Sequence, residues 1–149
     1  LPFILLTFIY FQIIIGAFVS GMDAGQIYNS WPLMGSTYFP DDNDLINIFK
    51  LSAFSDPSLV QFMHRNLAYL ILIFYLFLLI KVYREGLDNL FFAIKIVGIF
   101  LFIQIILGIL TLIYGAQIYL ASMHQLSSIF LVSSSVYLLY LNSNQQLLS

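Results

Sequence analysis

The sequence predicts an all-α membrane protein built as a bundle of four transmembrane helices. Three observations carry the prediction. Of the 149 residues, 61% are hydrophobic and only 8% charged, whereas an ordinary soluble domain has roughly 25% charged residues. The apolar residues gather into four runs, each near the ~20 residues that a helix needs to cross a ~30 Å hydrocarbon core. The ionisable residues fall mostly between those runs.

The first helix is expected at about 3–21, the second at about 58–82, the third at about 90–114 and the fourth at about 118–141. Asp56-Pro57 opens the second helix, as a capping residue followed by proline at the first helical position. Gly86 and Gly115 are expected to stop the second and third helices, and Asp88 to cap the third. Leu1-Pro2-Phe3 already lies inside an apolar run and lacks the basic start of a signal peptide. The chain therefore reads as a piece of a longer protein.

The connection 22–57 carries Asp23, Asp41, Asp42, Asp44 and Asp56 against Lys50 alone, whereas Lys81, Arg84 and Lys95 cluster around the turn between the second and third helices. The excess of Lys and Arg marks the cytoplasmic side. The acidic loop is thus expected outside, and the basic turn in the cytoplasm or matrix. Within that loop, Leu45, Ile48, Phe49 and Leu51 suggest a short amphipathic helix at about 44–54, lying on the membrane surface. Tyr28, Trp31 and Tyr38 suit aromatic anchoring at the interface. No basic patch is present, which excludes nucleic-acid binding. With no cysteine, thiolate metal sites and iron–sulfur clusters are excluded too.

The chain also repeats itself. Tyr10-Phe11-Gln12-Ile13-Ile14-Ile15-Gly16 returns as Phe102-Ile103-Gln104-Ile105-Ile106-Leu107-Gly108, and Met63-His64 returns as Met123-His124. A helix bearing Gln-x-x-x-Gly is followed by one bearing Met-His, twice. This predicts two hairpins of common design packed with pseudo-twofold symmetry.

His64 and His124 are the only histidines. An ionisable side chain inside a membrane helix is costly, and by default marks a functional site. A single one is more often a packing residue. Two at equivalent repeat positions, each about two turns or on the order of 10 Å below the same helix ends, favour a shared ligand role. Small residues one turn deeper, Ala68 and Ser128, with Ala121 and Ser135 along the same face, leave room beside them. The expectation is a heme held between the two imidazoles. Gly16 and Gly108 serve either helix packing or access of a flat ring, and Gln12 and Gln104 either interhelical hydrogen bonding or pocket lining. Met63 and Met123 read as packing. Arg65 either snorkels to the interface or pairs with heme propionates.

From Gly16-Ala17-Phe18-Val19-Ser20-Gly21-Met22-Asp23-Ala24-Gly25 through Ile27-Tyr28-Asn29-Ser30-Trp31-Pro32-Leu33-Met34-Gly35, the sequence resembles the heme A synthase family, in its alphaproteobacterial and mitochondrial form. Val60 to Arg65, Gln104 to Leu112 and Met123-His124-Gln125 fall where that family has its other motifs. The resemblance implies one half of an eight-helix, pseudo-twofold protein. That protein oxidises the C8 methyl of heme O to a formyl group, by successive hydroxylation and loss of water, giving heme A for cytochrome oxidase. It also implies that this is the C-terminal half, holding heme b on His64 and His124, with Arg65 a candidate propionate partner. The other half would hold the substrate heme and a glutamate near its first histidine. Here Gln61-Phe62-Met63 precedes His64 with no glutamate, so this segment alone is expected to be non-catalytic. The cysteine pair of some family members is absent as well. Implied partners are heme O in the other half, the lipid bilayer, a heme O synthase and a second copy of the protein. The implied setting is the bacterial inner membrane, ahead of the mitochondrial inner membrane. Two rivals stand beside this reading. An electron-transfer cytochrome b subunit would usually need two ligand pairs at different depths, and half of a transporter would use the paired glutamines and histidines for protons or substrate.

Overall fold

A computed structural model describes the backbone of residues 1–148 and the side chains of residues 1–144. It contains four helices: α1 (Pro2–Gly21), α2 (Pro57–Arg84), α3 (Asp88–Ile113) and α4 (Ile118–Leu148). All four are long and apolar enough to cross a membrane. No strand occurs among the described residues, only an isolated bridge between Met34 and Thr37.

Local chemistry fixes the helix ends. Asp56 Oδ1 accepts the Leu59 N–H at 3.0 Å, and Pro57 supplies a first residue with no N–H to satisfy. Past α2, Gly86 takes φ +63°, its N–H bonds Tyr83 O and that of Leu87 bonds Val82 O. Past α3, Gly115 takes φ +68°, with Gly115 N–H on Leu112 O and Ala116 N–H on Thr111 O. These are two Schellman closures, each turning the chain with a left-handed residue that glycine tolerates. Asp88 is the first residue of α3, and Leu87 occupies the capping position without a side-chain bond. The carboxylate still faces the positive end of the helix dipole. α4 runs on past residue 141, where the apolar run ends, to Leu148.

The segment expected as one amphipathic helix forms two 3₁₀ turns instead, Leu45–Phe49 and Leu51–Ser55. Extended backbone at Lys50 (φ −92°, ψ 146°) separates them. Asn47 and Ser52 are short polar residues that favour local bonds over a continuous helix, and the Lys50 ammonium bonds Asn47 Oδ1 at 2.8 Å. Leu45, Ile46, Phe49 and Leu51 stay exposed.

Neighbours run in a closed ring, α1 beside α2, α2 beside α3, α3 beside α4 and α4 beside α1. α2 and α4 therefore face each other across the bundle diagonal. Each helix turns one stripe inward at helical spacing: Leu5, Ile9, Gln12 and Gly16 in α1; His64, Ile71, Tyr75, Leu78 and Val82 in α2. The corresponding stripes are Leu90, Ile94, Val97, Leu101, Gln104 and Gly108 in α3, and His124, Ser127, Leu131, Ser135 and Leu138 in α4. A cluster of buried apolar side chains fills the half of the bundle nearest the α2–α3 turn, and Leu59 and Val60 are buried at the far end of α2. Towards the other end the same stripes switch from aliphatic side chains to Gln, Gly and His. The outward faces, with Phe3, Ile73, Phe92 and Phe102 exposed, suit lipid.

One close approach locks the packed half. The Tyr75 hydroxyl donates to Ile94 O at 3.2 Å, and the ring crosses α3 at Gly98. A Cβ on Gly98 would overlap the hydroxyl and stand 2.8 Å from Tyr75 Cζ. Gly98→Ala is therefore expected to destabilise the bundle by about 1–3 kcal/mol, as overpacking does. Gly21→Ala, which meets nothing nearby, is expected to be neutral; thermal unfolding in detergent would separate the two.

Candidate functional site

The two histidines stand at matching levels, His64 as the eighth residue of α2 and His124 as the seventh of α4. Each is served by the preceding helix in the same way. Gln12 Nε2 of α1 donates to His64 O at 3.0 Å, and Gln104 Nε2 of α3 donates to His124 O at 3.0 Å. One turn on, a Cβ at Gly16 would come within 3.1 Å of His64 Cε1, and one at Gly108 within 3.0 Å of His124 Cε1. Each glycine makes a cradle that an imidazole ring fills.

The rings also share a deficiency. Among the described residues, Nδ1 of both His64 and His124 is buried without a hydrogen-bond partner. The pairs differ in their second contacts. Gln12 Nε2 also lies 3.2 Å from His64 Nε2, while its Oε1 is buried and unpartnered. Gln104 Oε1 instead accepts from the Ser127 hydroxyl, and its amide does not bond the His124 ring. Ser127 is the α4 hydroxyl that meets Gln104; Ser128, the residue expected on that face, bonds Gln125 O on the helix's own surface.

Loop 22–57 is tied to the histidine helix by polar side chains. Gln61, buried one turn before His64, donates to Ala24 O at 2.9 Å and Tyr28 O at 3.2 Å. The Arg65 guanidinium donates to Ser30 O at 3.0 Å, Leu33 O at 3.2 Å, Tyr28 O at 2.9 Å and Gln61 Oε1 at 3.3 Å. Among the described residues Arg65 forms no ion pair, and its buried Nε has no partner. Asn29 bridges Gly25 O and Leu112 O at the end of α3. Trp31 and Tyr38 bond Tyr69 (3.0 Å) and Asn66 (2.6 Å) along the flank of α2.

At the loop's acidic edge the Tyr28 phenol donates to Asp41 at 2.6 Å. Its pKa is pushed up to about 12 by partial burial, by that bond and by the charges of Asp42 and Asp41. Burial works to raise Asp42, yet bonds from Ser58, Asn43 and Tyr28 outweigh it and hold that carboxyl below its usual range.

Residues 1–136 match the model of the cytochrome oxidase assembly protein family. The chain belongs to this family. It is 44% identical over 143 residues to the heme A synthase of Pelagibacter ubique, covering 94% of this chain and 41% of that protein. Identity to the heme A synthase of Rickettsia africae is 39% over 142 residues, covering 93% and 41%. With the heme A synthase of Roseobacter denitrificans it is 38% over 121 residues, covering 81% and 32%. The chain thus spans well under half the length of these curated relatives. No solved structure is significantly similar to it.

Of the residues singled out in the sequence, the structure puts His64 and His124 on facing stripes and joins Gln12, Gln104, Gly16 and Gly108 to them. Arg65 points its donors at loop carbonyls. Met123 is exposed and Met63 half-buried, and neither bonds the site. Sequence reasoning missed Ser127 as the partner of Gln104, and missed Gln61 and Asn29 as loop anchors. A buried glutamine within one turn of the histidine was the available signal for Gln61.

Because Gln61 Nε2 faces two carbonyl oxygens, a carboxylate there keeps the Arg65 bond through one oxygen but sets the other against Ala24 O and Tyr28 O with no donor between them. Gln61→Glu is expected to cost about 1–3 kcal/mol, the penalty for orphaned buried acceptors. Limited proteolysis should then nick loop 22–57 faster while helix content stays constant.

Proposed function

We propose that this chain is the C-terminal four-helix half of a heme A synthase, and that it holds a heme b between His64 and His124. The observation that carries the reading is the pair of inward imidazoles, level on diagonal helices, each lodged against a glycine. Among the described residues no three His, Asp or Glu side chains come together as a metal site. Two imidazoles alone suit a metal that brings its remaining ligands in a macrocycle. When bound, heme supplies a one-electron iron couple.

The residues of the chain then have separable tasks. His64 and His124 would hold the heme iron through their imidazoles, and Gly16 and Gly108 let the rings approach the neighbouring helix. Gln12 and Gln104 fix the height of each histidine by holding its carbonyl. Arg65 brings a positive charge that no carboxylate offsets and an Nε without an acceptor, which suits the carboxylate side chains of a heme. Loop 22–57 covers the end of the bundle where the aliphatic core gives out. In this reading the remainder of the protein binds heme O and oxidises its C8 methyl, and this half relays electrons. Gln61, standing where catalysis would call for a carboxylate, anchors the loop instead. The protein sits in the bacterial inner membrane with loop 22–57 outside, and a heme O synthase and a second copy are the proposed protein partners.

In full-length protein purified in mild detergent, His64→Ala and His124→Ala are each expected to abolish one low-spin b-type heme or turn it high-spin. Met63→Leu and Met123→Leu should leave the reduced-minus-oxidised spectrum unchanged. A methionine variant that loses the low-spin signal while a histidine variant keeps it would sink the ligand assignment. The segment alone should not oxidise heme O, and adding back the other half should restore the reaction.

A further inference from the structure

The two histidine sites are alike in fold and unlike in one hydrogen bond. Gln12 must turn its NH₂ toward α2, because His64 O can only accept. That same NH₂ reaches His64 Nε2 at 3.2 Å, so Nε2 is the acceptor of the imidazole and Nδ1 carries the proton. In the other hairpin Ser127 occupies Gln104 Oε1, and the imidazole of His124 has no hydrogen bond among the described residues. Leu67 stands three residues past His64, where Ser127 stands three past His124. With no hydroxyl there, Gln12 Oε1 is left buried and unpartnered.

We propose that Gln12 is a positioning residue that makes His64 the exchangeable one of the two axial ligands. The inference rests on the heme reading above. A detached His64 imidazole has a donor waiting for its Nε2 lone pair, whereas among the described residues no side-chain donor bonds the ring of His124. The Gln12 amide and a metal draw on the same nitrogen, so the hydrogen bond lowers the cost of release on the α2 side only. Heme would load and leave by opening at His64, with His124 as the fixed anchor.

Carbon monoxide tests this, since it binds a reduced bis-histidine heme only after one imidazole lets go. In the reduced full-length protein, Gln12→Leu should slow carbon monoxide binding about fivefold, the net worth of one hydrogen bond. Leu67→Ser, which gives Gln12 Oε1 the hydroxyl that Gln104 enjoys, should slow it in the same direction with every carbonyl clamp intact. Gln104→Leu removes an equivalent carbonyl bond but no imidazole bond, and should change the rate less than Gln12→Leu does. Gln12→Leu and Leu67→Ser that keep the low-spin spectrum and the wild-type rate overturn the proposal. So does Gln104→Leu if it slows binding as much as Gln12→Leu, since a merely structural clamp would act equally at both sites. Should Gln12→Leu not fold, Leu67→Ser decides. Histidine-to-alanine variants that retain every low-spin heme would instead overturn the heme reading itself.

Discussion

The arrangement depends on an amide clasping a backbone carbonyl, made twice. Lipid gives apolar helices no hydrophobic reason to prefer each other, so their contacts rest on close packing and hydrogen bonds. A hydrogen bond between membrane helices contributes on the order of 0.6 kcal/mol, too little for the two glutamines to hold the bundle together. The interlocked stripes around Tyr75, Ile94, Leu131 and Leu138 supply the cohesion. What the glutamines set is register. With Gln12 fixed on His64 O and Gln104 on His124 O, the glycine four residues on in each helix comes opposite the imidazole. The ring then has a place to lie.

The bundle is accordingly divided along its length. The half near the α2–α3 turn is filled with aliphatic side chains, and α2 ends there in its Schellman closure. The other half trades that filling for amides, imidazoles and glycines, and is covered by loop 22–57. Five side chains of α2, namely Ser58, Gln61, Arg65, Asn66 and Tyr69, bind the loop, mostly through its carbonyls. One helix thereby offers a histidine on its inner face and a loop-binding edge beside it, so the position of the cover and that of the ligand are set by the same rigid rod.

Much of this was legible in the sequence, for physical reasons. Four apolar runs and their capping residues mark helices wherever they occur, and Gly86 and Gly115 end α2 and α3 because a left-handed residue is needed there. The Gln-x-x-x-Gly and Met-His repeat pointed to the paired hairpins, since polar residues are too costly in lipid to recur by chance. Less legible was anything that depends on rotation by a fraction of a turn. Ser127 and Ser128 are neighbours of the same type, and only packing decides which meets Gln104. The donors of Arg65 went to carbonyls of residues 28–33, acceptors that every residue carries and that no side-chain pattern advertises. The stretch 44–54 has the apolar content of a helix, yet Lys50 adopts extended backbone and splits it.

The clasp uses a carbonyl that belongs to the chain rather than to the histidine. Any residue at position 64 or 124 would present the same oxygen to the same amide, so the scaffold does not need the imidazole in order to form. In a protein that repeats its own design, this uncouples inheritance of architecture from inheritance of chemistry. A duplicated hairpin can change, weaken or lose its ligand while the helices stay in step, and two halves of one ancestry are free to diverge in what they hold.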